Sequence, residues 1–116
     1  MAWTSVCKVN DILPNAGAAA LLGDTQVAIF RVQDQFFALS NRDPFSQANV
    51  LSRGIVGSLD GKLVVASPIY KQHFTLDGGQ CLEDPDVSIP QYAVRVDGDA
   101  VQISLSAEYP PSSWKG

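Results

Sequence analysis

The sequence is poor in the residues that build several common kinds of functional site. Among 116 residues there is one histidine, and the two cysteines, Cys7 and Cys81, lie far apart with no partner motif beside either. Two reduced thiols are therefore favoured over a disulfide, as in a reducing compartment. Eight Lys and Arg against 12 Asp and Glu leave a net charge of −4. This balance opposes nonspecific nucleic-acid binding, which relies on a basic surface.

Long apolar runs are also absent. The longest weakly polar stretch, residues 16–23, is far shorter than the roughly 18 residues that a membrane-spanning helix needs. Residues 1–8 have neither the basic start nor the apolar middle of a secretory signal. We therefore expect a cytoplasmic protein with no membrane partner and no nucleic-acid partner.

The chain contains enough apolar material for one folded domain. Its 116 residues have the length of a single domain, and 46% of them are hydrophobic, so a core can form without disulfides or metals. We expect this domain to occupy residues 1–105. The tail, residues 106–116, contains Pro110-Pro111, which cannot continue a central strand, and is expected to be flexible.

Short β-rich runs with an apolar period close to two dominate the chain, which predicts an all-β fold with little helix. The runs at residues 18–22, 26–32 and 36–40 are separated by tight turns and predict a three-stranded meander. Only residues 45–51 could form a turn or two of helix. We expect residues 11–17 to be a loop.

Two further hairpins are marked by Asp60-Gly61 and Asp97-Gly98, a dipeptide that accepts the positive φ angles of a type I′ turn. Apolar and polar residues alternate along the second hairpin, so one face should be buried and fix the strand register. The apolar residues of that face are Val94, Val96, Val101, Ile103 and Leu105.

Two segments of the chain resemble the metal-binding loops of the Rieske-type ferredoxin family. That family carries Asn-x-Cys-Pro-His in its first loop and Cys-Pro-x-His-Gly-x-x-Phe in its second. Here Asp43 and Ser67 stand at the cysteine positions, and Phe45 and Tyr70 stand at the histidine positions. Because a Rieske cluster needs two Cys and two His, the resemblance comes with all four ligands replaced.

The rest of the Rieske framework is retained over roughly residues 5–105. The matching residues are Asn41, Pro44, Pro68, Phe74, Asp77-Gly78, Pro85 and the run 92–98. The resemblance implies a Rieske-like sandwich of small antiparallel sheets, the fold of the iron–sulfur protein (ISP) type. Within it, residues 41–79 would form a subdomain of two apposed loops.

A complete framework without ligands is similar to one branch, the small subunits of NAD(P)H-dependent assimilatory nitrite reductase. The resemblance implies that this chain holds no cofactor and no catalytic residue. It also implies a large-subunit partner that carries FAD, sirohaem and an iron–sulfur cluster and reduces nitrite to ammonium. The alternative is a cluster-free Rieske-like module that binds or regulates another oxidoreductase.

The replaced histidine positions allow two interpretations. Aromatic residues are common interface anchors, so Phe45 and Tyr70 could form a contact surface for the large subunit. They could instead fold inward and fill the volume of the missing cluster. The predicted docking face comprises the two loop tips, residues 42–45 and 69–73, and its named interface residues are Arg42, Phe45, Tyr70, Lys71 and His73.

For the other polar candidates, Asp43, Ser67 and His73, the sequence favours structural roles over metal binding or catalysis. Asp43 and Ser67 offer two oxygen ligands, well short of the six to eight that Ca²⁺ takes, so we expect no metal there. His73 has no nucleophile or substrate placed beside it by the sequence, which favours a surface or hydrogen-bonded histidine over a general base.

Overall fold

The computed structural model describes residues 3–109, which form short antiparallel strands joined by tight turns and loops. Two single-turn 3₁₀ helices, Val9–Asp11 and Leu51–Arg53, interrupt them. The strands are β1 (Thr4–Lys8), β2 (Ala16–Leu22), β3 (Thr25–Val32), β4 (Gln35–Ser40), β5 (Ile55–Leu59), β6 (Lys62–Ala66), β7 (His73–Thr75), β8 (Gln91–Asp97) and β9 (Ala100–Tyr109). Within the described residues, no helix has the length and apolar character needed to cross a membrane.

The strands form two antiparallel sheets. The large sheet has the order β1-β9-β8-β4-β3-β2, and the small sheet has the order β5-β6-β7. The consecutive neighbours β2, β3 and β4 are the meander that the sequence predicts. The antiparallel all-β prediction is therefore confirmed.

Strand β3 connects the packing of the two sheets, because both of its faces are buried. Successive side chains of a strand point to opposite faces. Val27 and Ile29 pack in a core within the curved large sheet, together with Val101 and Ile103 of β9. On the other face, the neighbours Ala28 and Phe30 pack against a second core, which the small sheet closes.

The second core fixes the small sheet and its loops against the large sheet. Its fully buried members include Leu39 of β4, Val65 of β6 and Phe74 of β7. Strand β7 has no counterpart among the predicted strands, since three residues are too few to show an apolar period. Strand β7 is nevertheless the element that carries Phe74 into this core.

The two predicted Asp-Gly turns differ in the structure. Asp60 and Gly61 both have positive φ, at 54° and 80°, as a type I′ turn requires. In the β8–β9 hairpin Asp97 pairs with Ala100, so the turn residues are Gly98 and Asp99, and Gly98 has a positive φ of 65°. The second hairpin is confirmed, and its two turn residues lie within the predicted turn segment 97–99, whose first residue, Asp97, belongs to β8.

Several predicted boundaries and exposures need correction. Strand β2 already begins at Ala16 inside the expected loop 11–17, and residues 45–51 do not form a helix, which begins only at Leu51. Val96 is 44% exposed, because its end of the hairpin extends past the core. Strand β9 continues to Tyr109, beyond the expected boundary at 105, and residues 110–116 of the predicted tail lie outside the described part.

Candidate functional site

Two loops project from neighbouring strand ends and have the same backbone conformation. The first loop, residues 41–50, follows β4, and the second loop, residues 67–72, joins β6 to β7. In the first loop the Asp43 amide donates to the Ala48 carbonyl at 2.8 Å, and the Gln47 amide donates to the Asp43 carbonyl at 2.7 Å. Gln47 has a left-handed φ of 63°.

The second loop repeats this pattern position by position. The Ser67 amide donates to the Gln72 carbonyl at 2.9 Å, and the Lys71 amide donates to the Ser67 carbonyl at 3.1 Å. Lys71 has a left-handed φ of 68° at the position that corresponds to Gln47. Each loop is therefore a closed turn that begins at a position where the Rieske family has cysteine.

The first side chain of each turn binds the backbone two residues later. Asp43 Oδ1 accepts the amide hydrogen of Phe45 at 2.9 Å, and Ser67 Oγ accepts that of Ile69 at 3.3 Å. Such short-range bonds are the usual way in which Asp and Ser close turns. In backbone geometry the counterpart of Phe45 in the second loop is thus Ile69, one residue before Tyr70.

The two turns are joined through their first side chains. Ser67 Oγ donates a hydrogen bond to Asp43 Oδ2 across 2.5 Å, and both residues are fully buried. Two residues at former cysteine positions, separated by 24 residues in the sequence, are thus in direct contact. The carboxylate makes this a charge-assisted bond, which is stronger than a bond between neutral groups.

The two aromatic residues at the histidine positions occupy different environments. Phe45 is half-buried, and its ring centroid lies 6.2 Å from that of Phe74, so it packs on the second core. Tyr70 is 59% exposed, and the preceding Ile69 is 43% exposed. The structure therefore places Phe45 inward and Tyr70 at the surface.

The charged residues near the loops form only a small cationic area. Arg42 and Lys71 are exposed, one in each loop. His73 begins β7 and is held by Glu83, whose carboxylate lies 2.6 Å from His73 Nδ1 and accepts the His73 amide hydrogen at 2.7 Å. Of the predicted interface residues, His73 is therefore part of a hydrogen-bonded pair.

The pKa of Glu83 reports the strength of this pairing. Burial acts to raise the pKa of the Glu83 carboxyl, but the hydrogen bonds from the His73 amide and ring outweigh it. The pKa therefore lies below its ordinary value of 4.5. The interaction favours the charged carboxylate.

The cysteines lie apart from the loop tips and are not bonded to each other. Cys7 is half-buried in β1, and Cys81 is fully buried in the second core, and both thiols are free. Burial raises the pKa of both thiols, and the nearby Asp11 carboxylate raises that of Cys7 further. A raised pKa keeps a thiol protonated and poorly reactive.

The residues at the two loops do not fit a Rieske cluster. Such a cluster takes two thiolates and two imidazoles, whereas these four positions provide a carboxylate, a hydroxyl, a phenyl ring and a phenol. Asp43 and Ser67 bind each other, and the Phe45 ring faces the core. Among the side chains that the structure describes, residues 3–105, no group of three or more His, Cys, Asp and Glu has an arrangement suited to a metal ion.

Sequence reasoning placed Ile69 in the docking face, but it missed the equivalence of Ile69 with Phe45 and the contact of Glu83 with His73. Ile69 shares its position with Phe45, and the signal was available in the matching order of polar residue, proline and apolar residue at 43–45 and 67–69. Glu83 lies outside both loops. It comes close to His73 because Phe74 of β7 forms an antiparallel bridge with Cys81. No local pattern marks such a partner.

Comparison with known proteins agrees with the geometry. Residues 2–104 match the model of the Rieske-like [2Fe-2S] domain family. The chain is 52% identical over 103 residues to the nitrite reductase (NADH) small subunit of Escherichia coli strain K12, covering 87% of this chain and 95% of the relative. It is 51% identical to the solution structure of the nitrite reductase [NAD(P)H] small subunit from Erwinia carotovora, with a TM-score of 0.76 over 89% of this chain and 81% of that one.

A third relative has a different organisation. The nitrite reductase [NAD(P)H] large subunit of Klebsiella oxytoca is 41% identical to this chain over 102 residues, which are 87% of this chain but 11% of that protein. A segment like this domain thus occurs there within a much longer polypeptide. The chain belongs to the Rieske-like domain family and, within it, to the small subunits of NAD(P)H-dependent nitrite reductase.

Proposed function

We propose that this chain is a cluster-free, non-catalytic subunit that binds the large nitrite reductase chain through its two loop tips. In this function it supports the activity or assembly of the large chain in the cytoplasm. The tips comprise Arg42, Tyr70 and Lys71 with the neighbouring Ile69, and Phe45 and His73 lie behind them as supports. The proposal refines the docking face expected from the sequence by moving Phe45 out of the contact surface and by making Ile69 part of the anchor.

The exposed pair Ile69 and Tyr70 is the observation that carries this proposal. The two side chains are 43% and 59% exposed on a turn that is fixed at both ends by backbone hydrogen bonds. A large apolar side chain on a rigid turn loses little conformational freedom on binding, which suits it to anchor an interface. Lys71 and Arg42 beside it can guide an acidic surface of the partner into register.

The fused relative supports the choice of partner. In the Klebsiella protein, the segment that resembles this chain is covalently part of a large subunit. A separate small subunit lacks that covalent tether, so a noncovalent contact surface must hold it beside the large chain.

The chemistry of nitrite reduction also assigns the cofactors to the partner. Reducing nitrite to ammonium consumes six electrons, which must pass from NAD(P)H through redox groups. We assign FAD, sirohaem and an iron–sulfur cluster to the large subunit, because the family resemblance implies them there and the described residues of this chain form no group suited to a metal ion.

Replacing Tyr70 tests the docking surface. We expect Tyr70→Ala to weaken binding to the purified large subunit by about tenfold or more, since a central aromatic anchor is typically worth that much. Nitrite-dependent NAD(P)H oxidation at limiting small subunit should fall in parallel. Binding is measured by calorimetry and activity by absorbance at saturating nitrite.

The matched control is Leu13→Ala. Leu13 is 72% exposed, and it precedes β2 at the end where Ala16 pairs with Arg31, opposite the end of the large sheet from which the first loop departs. This variant removes as much exposed apolar surface but should leave affinity unchanged. Equal affinities for the Tyr70 variant and the unmodified chain would refute docking through the tips.

A further inference from the structure

The two loop tips are held together by one buried polar contact. Within residues 3–109, the hydrogen bond from Ser67 to Asp43 is the one that joins the first loop to the second. Each loop closes on itself, but without this bond nothing polar would fix the distance between the two closed turns. The bond also lies where two cysteine ligands would be tied through a shared cluster in the Rieske family.

Further hydrogen bonds link the Asp43–Ser67 bond to the backbone of both tips. The Asp43 carboxylate accepts the Phe45 amide hydrogen on one oxygen and the Ser67 hydroxyl hydrogen on the other. The Ser67 oxygen in turn accepts the Ile69 amide hydrogen. A change at either side chain therefore reaches the backbone at Phe45 and at Ile69.

Burial makes this chain of bonds sensitive to deletion. Both side chains have no solvent exposure, so water cannot replace a missing partner. In a buried site a carboxylate that loses one donor keeps its desolvation cost, and the remaining groups move to recover a bond. The loop tips are then the parts that move, since they are exposed and lack other polar links to each other.

We propose that Asp43 and Ser67 form a positioning pair that holds the Ile69–Tyr70 tip at a fixed distance from the first loop for docking to the large subunit. This inference rests on the proposed function. It assigns to a buried polar pair the task of joining the two loops, which the shared cluster performs elsewhere in the family. Neither residue touches the partner. Both act through the tip that they orient.

A double-mutant cycle of Ser67→Ala and Tyr70→Ala tests the pair. Ser67→Ala should weaken binding of the large subunit by about tenfold, the usual cost of a deleted buried partner, although Ser67 is not at the surface. In the Tyr70→Ala background, the same change should have a clearly smaller effect, because the aromatic anchor of the positioned tip is gone and only Ile69 remains. Additive effects of the two changes would overturn the inference.

Two controls separate positioning from a loss of stability. Ile103→Val removes a methyl group from the core of the large sheet, far from the loops, and should destabilise the fold with affinity unchanged. Ser58→Ala changes an exposed serine of β5 and should alter neither property. If Ile103→Val weakens binding as much as Ser67→Ala does, the effect of Ser67 is general destabilisation and the inference fails.

Amide hydrogen exchange provides a readout that does not require the partner. Ser67→Ala should speed exchange at Ile69, which loses its acceptor, and also at Phe45 in the other loop. Ser67→Cys, which keeps the volume and a weak donor, should give intermediate rates and affinity. A change confined to Ile69 would show that the loops are not coupled and would overturn the inference.

The cycle also distinguishes the two proposals. If Tyr70→Ala leaves the affinity unchanged, docking through the tips is wrong, and the positioning inference falls with it. If Tyr70→Ala weakens binding while Ser67→Ala acts additively or has no effect, docking stands and only the positioning pair is wrong.

Discussion

The two loops have the same hydrogen-bonded turn but place the apolar side chain after proline in different environments. Phe45 of the first loop packs on Phe74, whereas its counterpart Ile69 in the second loop is 43% exposed and is followed by the exposed Tyr70. Asp43 and Ser67 support both turns from the same buried contact. The backbone therefore does not decide whether a loop packs or presents a side chain.

The surface beneath each loop accounts for the difference. The first loop lies over the second core, where burial of a phenyl ring stabilises by about 25 cal/mol for each Å² of apolar surface removed from water. The phenol of Tyr70 gains less from burial because its hydroxyl requires a hydrogen-bond partner. Of the two equivalent turns, the first therefore contributes to fold stability, and the second exposes side chains at the surface.

The largest expected effect is the loss of stability on changing Phe45. Phe45→Ala should lower the free energy of unfolding by about 2 kcal/mol, less than for a fully buried phenylalanine because the ring is only half-buried. Tyr70→Ala should change it by about 0.5 kcal/mol or less, as is usual for an exposed side chain. Urea unfolding followed by circular dichroism measures both.

Phe45→Leu is the matched control, because it keeps an apolar side chain against Phe74 and should retain most of the stability. The two alanine variants should also differ in the opposite sense in affinity for the large subunit. Equal losses of stability at Phe45 and Tyr70 would show that the two loops are packed alike, against the comparison drawn above.

The next largest effect concerns the anchor of the first loop. Asn41 is 1% exposed, and its side chain accepts the Ser52 amide hydrogen at 2.7 Å and donates to the Asn49 carbonyl at 3.3 Å. Asn41→Ala should therefore lower the free energy of unfolding by about 1.5 kcal/mol, since buried partners are left unpaired. Asn49→Ala, at an exposed position whose carbonyl is retained, is the control for urea unfolding. An Asn41→Ala loss no larger than the control's would mean that the first loop has another anchor.

Much of this architecture could be predicted from local sequence patterns. The period of two along residues 26–32 and 36–40 and the Asp60-Gly61 turn gave correct strands, because such patterns depend on neighbouring residues alone. The Asn41, Pro44 and Pro68 framework likewise located both loops. These signals suffice for the fold, whereas the place of the docking site stays a prediction.

The details that decide how the site works depend on contacts between distant residues. The bond between Asp43 and Ser67 joins residues that are 24 positions apart, and the inward direction of Phe45 depends on Phe74 beneath it. Neither has a local pattern. The assignment of the four replaced ligand positions stays a prediction from the resemblance, and the sequence left both orientations of their aromatic side chains open.

The smallest expected effect is a dependence on pH that is restricted to the second loop. The first loop is anchored by the neutral amide of Asn41, whereas the second loop is anchored at His73 by the Glu83 carboxylate. Hydrogen bonding from His73 outweighs burial and lowers the pKa of Glu83 below 4.5. A carboxyl group whose pKa is lower in the folded state stabilises the fold above its unfolded pKa, and this stabilisation is lost as the pH falls through the folded pKa.

The amide proton of His73 should therefore titrate in NMR spectra with a midpoint below 4.5, while the Ser52 amide, which donates to Asn41, should show no such step. Glu83→Gln should abolish this acidic step in the His73 amide signal and flatten the acid limb of stability measured by urea unfolding between about pH 3 and pH 7. The effect on stability should be small, because the Glu83 side chain is 45% exposed and water screens the interaction. A titration of the Ser52 amide with the same midpoint would mean that the two loops respond to acid as one unit, and the separation between a packed first loop and a presented second loop would then fail.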